Sequence, residues 1–83
     1  MKTIASDKFT NTRKEANFDR ACEEAYRYAL MVFGIDDSGH SQKLKGWDRS
    51  SCCIKVTFLS YSQVGSMGGH DYNYEFLIEA IKG

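Results

Sequence analysis

The sequence predicts an α+β fold in which one amphipathic helix packs on a three-stranded antiparallel β-meander. Apolar residues recur at intervals of three and four across residues 12–35, as on one face of a helix. Across residues 51–62 and 72–81 they alternate with polar residues, as in strands with one buried face. Because helix and sheet each have one apolar surface, the two layers are expected to pack together. The predicted order is α-β-β-β, with a short extra strand before the helix left open.

Length and composition predict one small folded domain spanning residues 1–83. The chain contains 42% hydrophobic and 13% aromatic residues, which is typical of a globular module and not of a disordered tail. Its 11 basic and 11 acidic side chains cancel. A net charge of zero removes the general electrostatic attraction to nucleic acid, so such a role would need a local basic patch.

Cysteine usage predicts a reducing, cytoplasmic setting. Cys22, Cys52 and Cys53 are odd in number and two of them are adjacent, which does not suit a disulfide framework. No apolar run approaches the ~20 residues that a membrane span needs, and the N-terminus has no secretory signal pattern. The sequence therefore predicts a protein without a membrane partner.

The predicted helix at residues 12–35 has recognisable signals at both ends. Thr12 followed by Glu15 has the spacing of a capping box at the N-terminus. Gly34 supplies the left-handed residue that follows many helices, and Ile35 the apolar residue that comes after it. The residues predicted to face the sheet are Phe18, Ala21, Cys22, Ala25, Ala29, Val32 and Phe33. Their high alanine content predicts a close approach of helix and sheet.

The last turns of this helix are apolar on nearly every side. Tyr26, Tyr28, Leu30 and Met31 lie beside or opposite the predicted core face. We expect a cover for them, which is either the N-terminal arm or a loop of the same chain, or else a partner protein or a second copy. Tyr26, Leu30 and Met31 are therefore a candidate second binding patch or dimer patch.

Two short segments are predicted as minor elements of the sheet. Residues 1–11 alternate weakly, which is compatible with a short strand or a flexible arm. Residues 43–48 are predicted as a short edge strand. The side chains on one side of this strand would be Lys43, Lys45, Trp47 and Arg49.

Residues 51–62 are predicted as the central strand, with alternate side chains on opposite faces. Those predicted to face the helix are Cys52, Ile54, Val56 and Phe58. Those predicted to face outward are Cys53, Lys55, Thr57, Leu59 and Tyr61. Residues 63–71 contain three glycines and are predicted to be a flexible connection. Residues 72–81 fit a strand or a helix, and the aromatic and β-branched residues at alternate positions favour the strand.

No arrangement of chemical groups in the sequence predicts an enzyme. Cys52 or Cys53 with His70 and Asp71 contains the residue types of a Cys, His and acid site, but no spacing brings them together. The cysteines and histidines lack the paired spacing of zinc ligands. The glycines of residues 63–71 lack the Gly-Lys-Ser/Thr ending of a P-loop. The chain is therefore predicted to be non-enzymatic and to use no metal or cofactor.

The predicted outward face of the sheet is the main candidate for a functional surface. Its basic and aromatic side chains would be Lys43, Lys45, Trp47, Arg49, Lys55 and Tyr61. Aromatic residues and arginine supply much of the binding energy at protein interfaces, so we interpret this face as a protein-binding surface. The alternative is a nucleic-acid-binding face on which the rings stack on bases, with Glu75 and Glu79 on the same side as an opposing feature.

In size and layout the chain resembles the small single-domain proteins of phages and other mobile elements, among them several anti-CRISPR inhibitors. The resemblance rests on the length of 83 residues and on one helix followed by a β-meander, and it carries over no residue. It implies an inhibitor that covers a surface of a larger protein or ribonucleoprotein complex. Both a monomer and a homodimer are compatible with it.

Overall fold

The computed structural model describes the backbone of residues 1–66 and 69–83, and the side chains of residues 1–65 and 71–83. In this part of the chain the elements are β1 (Lys2–Arg13), α1 (Phe18–Val32), β2 (Cys52–Ser66) and β3 (Gly69–Lys82). The three strands form one antiparallel sheet, so the predicted α+β class with one helix on a three-stranded sheet is confirmed. No helix in the described part is both long and apolar enough to cross a membrane.

The first element is a full strand and not an arm. All but one residue of the 12-residue strand β1 pair with β3, from Lys2 opposite Lys82 to Arg13 opposite Tyr72. The capping box predicted at Thr12 is therefore wrong, because Thr12 lies in β1 and its hydroxyl donates a hydrogen bond to Asn73 over 2.8 Å. The helix starts at Phe18, six residues after the start of the predicted segment at residue 12. The order of elements along the chain is therefore β-α-β-β.

Helix α1 begins and ends with recognisable caps. At the N-terminus the side chain of Asn17 accepts a hydrogen bond from the backbone N–H of Arg20 over 3.0 Å. At the C-terminus Gly34 has a φ of 67°. The N–H of Gly34 donates to the carbonyl of Met31, and the N–H of Ile35 to that of Leu30. This is a Schellman motif, so the predicted end of the helix is confirmed.

The strand order is β1-β3-β2, which places the last strand in the centre. The prediction that residues 51–62 form the central strand is wrong, because β2 lies at an edge. The predicted strand at residues 43–48 is also wrong, since this segment lies in the loop between α1 and β2. Gly46 adopts a φ of 86° there, and the N–H of Trp47 donates to the carbonyl of Leu44 in a turn. The third strand of the sheet is instead β1.

Residues 72–81 are a strand, as the alternation of their side chains predicts. The side chains of β3 that face the helix are buried: Tyr74, Phe76, Ile78 and Ala80. Most of the predicted connection at residues 63–71 is strand instead, because β2 runs to Ser66 and β3 starts at Gly69, which pairs with Ser66. Residues 67 and 68 of that predicted connection lie outside the described residues.

The core lies between the alanine face of α1 and the central strand. Ala21, Ala25 and Ala29 have no exposed surface, and neither do Phe76 and Ile78 opposite them. Small side chains on the helix let its backbone approach the sheet, while the large side chains of β3 fill the space between the layers. The small side chains at these three positions therefore allow the close approach of α1 to the sheet.

A polar group ties α1 to β1 on one flank of the helix. The Glu24 carboxylate accepts hydrogen bonds from the Asn11 amide and from the Arg13 guanidinium, the latter over 2.7 Å. The hydrogen bond from Asn11 lowers the pKa of the Glu24 carboxyl, and Arg13 and Arg20 lower it further, against the opposing effect of partial burial. The ionised form of Glu24 is thus the one that the fold stabilises.

We predict that Ala25→Leu destabilises the domain by about 1 to 3 kcal/mol, because the larger side chain has no space between helix and sheet. The free energy of unfolding in urea measures this effect. Ala16→Leu is the matched control, since Ala16 is exposed and precedes the helix. Equal stability of the two variants would contradict the close approach of α1 to the sheet.

We predict that the stabilisation from Glu24 depends on pH. Because folding lowers its pKa, the contribution is fully present above the unfolded value of about 4.3 and is lost as the pH falls through the lower folded value. The stability difference between wild type and Glu24→Gln should therefore shrink below about pH 4.3, as measured by the thermal midpoint at a series of pH values. A difference that is constant down to the acid transition would show that the fold does not prefer the carboxylate.

Candidate binding groove

A groove with a volume of about 580 Å³ lies between α1, the start of β2 and the loop that joins them. We call the joining segment, residues 33–51, the connecting loop. The apolar side chains that line the groove are Tyr26, Leu30, Met31, Ile35, Trp47 and Ile54. Asp36, Asp37 and Arg49 contribute the charged groups of its wall. The groove therefore combines apolar side chains with charged groups, and the charged groups all come from the connecting loop.

The helical wall of the groove is the side of α1 that faces β2. Tyr26 and Leu30 are four residues apart and so lie one above the other on the helix, with Met31 beside them. Tyr26 is 47% exposed and Met31 is 69% exposed. On the opposite flank the ring of Tyr28 stacks on Phe9 of β1 at a centroid distance of 4.7 Å. The N-terminal strand thus covers Tyr28, but it leaves Tyr26 and Met31 open to solvent.

The connecting loop is held against the end of the helix by its own hydrogen bonds. The carboxylate of Asp36 accepts from the backbone N–H groups of Ser38 and His40, over 3.0 and 2.9 Å. The hydroxyl of Ser41 donates to the carbonyl of Phe33, over 2.7 Å, and accepts from the N–H of Leu44. These hydrogen bonds satisfy polar groups at the helix end and in the loop. The connecting loop is thus an ordered wall of the groove.

Three long side chains of the connecting loop donate to backbone carbonyls. The indole N–H of Trp47 donates to Gly39 over 2.8 Å, and the guanidinium of Arg49 to Ser38 over 2.9 Å. The ammonium of Lys43 donates to the carbonyl of Val32 over 3.1 Å, in the last turn of α1. Positive charge at that end of a helix is favourable, because the free carbonyls there carry partial negative charge. The three side chains therefore hold the connecting loop in place beside the groove through contacts within the domain.

The predicted basic and aromatic sheet face does not form. Lys43, Lys45, Trp47 and Arg49 lie in the connecting loop and not on a strand. Lys45 is exposed, whereas Trp47 is partly buried and packs against the core. Their local alternation is real, but the turn at Gly46 removes the extended backbone that would place them on one face.

A bulge in β2 separates the two remaining residues of the predicted face. The pairing with β3 shifts between Phe58 and Ser60, which adds one residue to β2 and reverses the side on which later residues point. Lys55 is opposite Glu79 on the uncovered face. Tyr61 is opposite Tyr74 on the helix face, with their ring centroids 5.2 Å apart. Strict alternation through residues 51–62 would have placed both on one side.

The groove unites residues from both predicted patches. Trp47 and Arg49 come from the predicted sheet face, and Tyr26, Leu30 and Met31 come from the predicted second patch. Sequence reasoning missed Ile35, Asp36, Asp37 and Ile54 as groove residues. A local signal existed only for Ile35, which follows the glycine of the helix end. The groove residues come together only because the connecting loop folds back against α1 and the start of β2.

The described residues include no cluster of three or more His, Cys, Asp or Glu side chains that could hold a metal ion. The thiol of Cys53 is exposed at the groove, and that of Cys52 accepts a hydrogen bond from the N–H of Asp48 over 3.3 Å. Burial raises the pKa of the Cys22 thiol, and the charge of Asp19 raises it further, so this thiol is less reactive. The side chain of His70, named with Cys52 or Cys53 in the predicted thiol arrangement, lies outside the described residues.

Comparison with known proteins assigns no relative to this chain. It matches no protein-family model, no curated protein and no solved structure.

We predict that Trp47→Phe destabilises the domain by roughly 0.5 to 1.5 kcal/mol, because it removes the hydrogen bond to Gly39 while keeping most of the apolar contact. Chemical unfolding followed by circular dichroism measures the change without relying on the indole. Tyr26→Phe, on the opposite wall, is the control and should remain within about 0.5 kcal/mol of wild type. A neutral Trp47→Phe would mean that the indole does not hold the loop.

Proposed function

We propose that the chain is a small non-enzymatic binding protein that covers a surface of a larger protein, with the groove holding an apolar segment of that partner. The observation that carries the proposal is the open groove with mixed apolar and charged lining, in which Tyr26 and Met31 are exposed beside the partly buried Trp47. A concave site of this size that combines apolar side chains with a few polar groups is typical of a binding site. The partner segment would replace solvent over these three side chains.

The residue types in the groove support this proposal. Aromatic residues, methionine and arginine are enriched at protein interfaces, and the groove contains Tyr26, Trp47, Met31 and Arg49. The wall formed by the connecting loop is already ordered by its hydrogen bonds to Gly39 and Ser38. Less conformational entropy is then lost on binding, which favours affinity.

The open edge of β2 offers a second kind of contact in the same groove. Cys52, Cys53 and Ile54 line it at the start of this edge strand. An extended segment of a partner can pair with the backbone of an edge strand while its alternate side chains enter a pocket beside it. This geometry suits a partner segment in extended conformation with apolar side chains facing α1.

Nucleic-acid binding, the alternative, has less support than protein binding. The guanidinium of Arg49 and the ammonium of Lys43 donate to backbone carbonyls within the domain. Lys55 and Tyr61 lie on opposite faces of the sheet, so cation and ring do not form one stacking surface. The net charge of zero provides no general attraction to phosphate.

A finer form of the proposal is an inhibitor of the kind encoded by phages and other mobile elements, such as the anti-CRISPR proteins. Its support is the small size of the chain and the layout of one helix on a three-stranded sheet. A cytoplasmic setting is part of this proposal, and the free thiols of Cys22, Cys52 and Cys53 support it.

We predict that Met31→Glu weakens partner binding at least about tenfold, because it places a charge in the apolar groove without disturbing the core. The chain is used to capture partners from a host lysate, and each purified partner is then titrated while the fluorescence of Trp47, the single tryptophan, is recorded. A shift of this emission on binding is expected, since the indole lines the groove.

Ala16→Glu is the matched control for that experiment, since it adds the same carboxylate at an exposed position before α1. It should bind the partner as wild type does. Unchanged affinity of Met31→Glu, or equal losses in both variants, would refute the groove as the binding site. Binding to polyanions that falls steeply with salt and ignores Met31→Glu would support the nucleic-acid alternative.

A further inference from the structure

The two edges of the sheet are protected to different degrees. Edge strands of monomeric proteins usually carry charges that prevent pairing with another chain. The edge strand β1 has four charged residues in 12, which are Lys2, Asp7, Lys8 and Arg13. The edge strand β2 has one in 15, Lys55. The edge of β2 is thus the one whose composition permits pairing with another strand.

The bulge between Phe58 and Ser60 divides the edge of β2 into two segments. The first segment borders the groove. The second, residues 60–66, contains no charged residue. Val64 in this segment is 52% exposed, and Tyr61 is 45% exposed. We call residues 60–66 the distal edge.

An aromatic cluster adjoins the distal edge on the helix face. Phe18 of α1 and Phe58 of β2 are in edge-to-face contact, with ring centroids 5.2 Å apart, and each is nearly half exposed. Tyr61 continues this surface toward Tyr72, on which it stacks at 6.3 Å. Aromatic side chains with this exposure bury much surface when another chain packs on them.

The end of the β2–β3 hairpin extends beyond the rest of the domain. Pairing between β1 and β3 stops at Arg13 and Tyr72, whereas β2 and β3 pair further, through Val64 opposite Asp71 to Ser66 opposite Gly69. The molecule measures 48 × 23 × 18 Å, and its radius of gyration is 14.7 Å, against about 12 Å for a compact chain of this length. A two-stranded ribbon gains stability when further strands are added to it.

The exposed area of the chain exceeds that of a typical monomer. Its accessible surface is 5698 Å², whereas a monomeric protein of 9.4 kDa exposes about 5,000 Å². The excess is close to the ~800 Å² that each partner buries in a standard protein interface. The surplus surface of the domain is thus comparable in size with the area that one further chain would cover.

We propose that the distal edge pairs with the distal edge of a second copy of this chain, in an antiparallel arrangement about a two-fold axis. A two-fold axis brings the same strand of both copies together. Because the distal edge has no charged residue, no like charges meet when it pairs with its copy. The two Lys55 side chains would then lie roughly 50 Å apart and would not repel each other. The product is a continuous six-stranded sheet.

The second copy also adds strands beside the part of the β2–β3 hairpin that projects beyond β1. Each projecting hairpin becomes part of a four-stranded region. The clusters around Phe18 and Phe58 come to lie on either side of the axis. The groove at the other end of β2 stays accessible, so the dimer and the proposed function use different surfaces.

The oligomeric state of the full chain tests this proposal. Sedimentation equilibrium of the wild type should give a mass of twice 9.4 kDa at high concentration, with dissociation on dilution. Val64→Lys places like charges near the axis and should raise the dissociation constant at least about tenfold. Thr10→Lys adds the same charge at an exposed position on the other edge strand and should leave the dimer unchanged. Ser62→Lys is a second variant on the distal edge.

Each of the following results would overturn the proposed dimer. A wild-type mass of 9.4 kDa up to about 1 mM would exclude a dimer of useful stability. Dimers that survive both Val64→Lys and Ser62→Lys would use a different surface, and equal dissociation by Thr10→Lys would show non-specific association. Dissociation by Met31→Glu would assign the groove to the dimer and not to another protein. Thermal unfolding of each variant confirms that only folded protein is compared.

Discussion

The close contact between three alanines of α1 and the central strand is the constraint on which the rest of this structure depends. Ala21, Ala25 and Ala29 are fully buried over Phe76 and Ile78, and so the helix axis is held near the middle of the sheet. A helix in this position has two flanks, one above each edge strand. What covers each flank decides whether the surface is closed or free for binding.

The two flanks differ in how they are closed. Over β1, the Glu24 carboxylate accepts hydrogen bonds from Asn11 and Arg13, and Tyr28 stacks on Phe9, so both a polar and an apolar contact close this flank. Over β2, the described structure has no such cover, and the groove and the aromatic cluster remain open. The bulge in β2 separates these two surfaces. A small domain with one closed flank can thus present two distinct binding surfaces on the other.

The connecting loop shows how polar groups shape a binding surface from within. The end of α1 and the turn after it present carbonyl groups that need donors, and Lys43, Trp47 and Arg49 supply them. Side chains that are typical of protein or nucleic-acid recognition are therefore partly engaged inside the domain. Their role is to hold the loop as a wall, on which Trp47 offers a partly buried apolar surface.

The sequence by itself determined the α+β class and the alanine face and C-terminal cap of α1, and it favoured a strand over a helix for residues 72–81. These features depend on residues close together in the chain, and local periodicity reports them directly. Tertiary structure alone decided that residues 2–13 complete the sheet, that β3 is central and that Tyr61 lies on the helix face. Those outcomes depend on pairing between distant segments and on the bulge that adds one residue to β2 between Phe58 and Ser60. Neither feature is visible in a local sequence pattern. The groove belongs to this second group, because its walls meet only when the connecting loop folds back on the helix end.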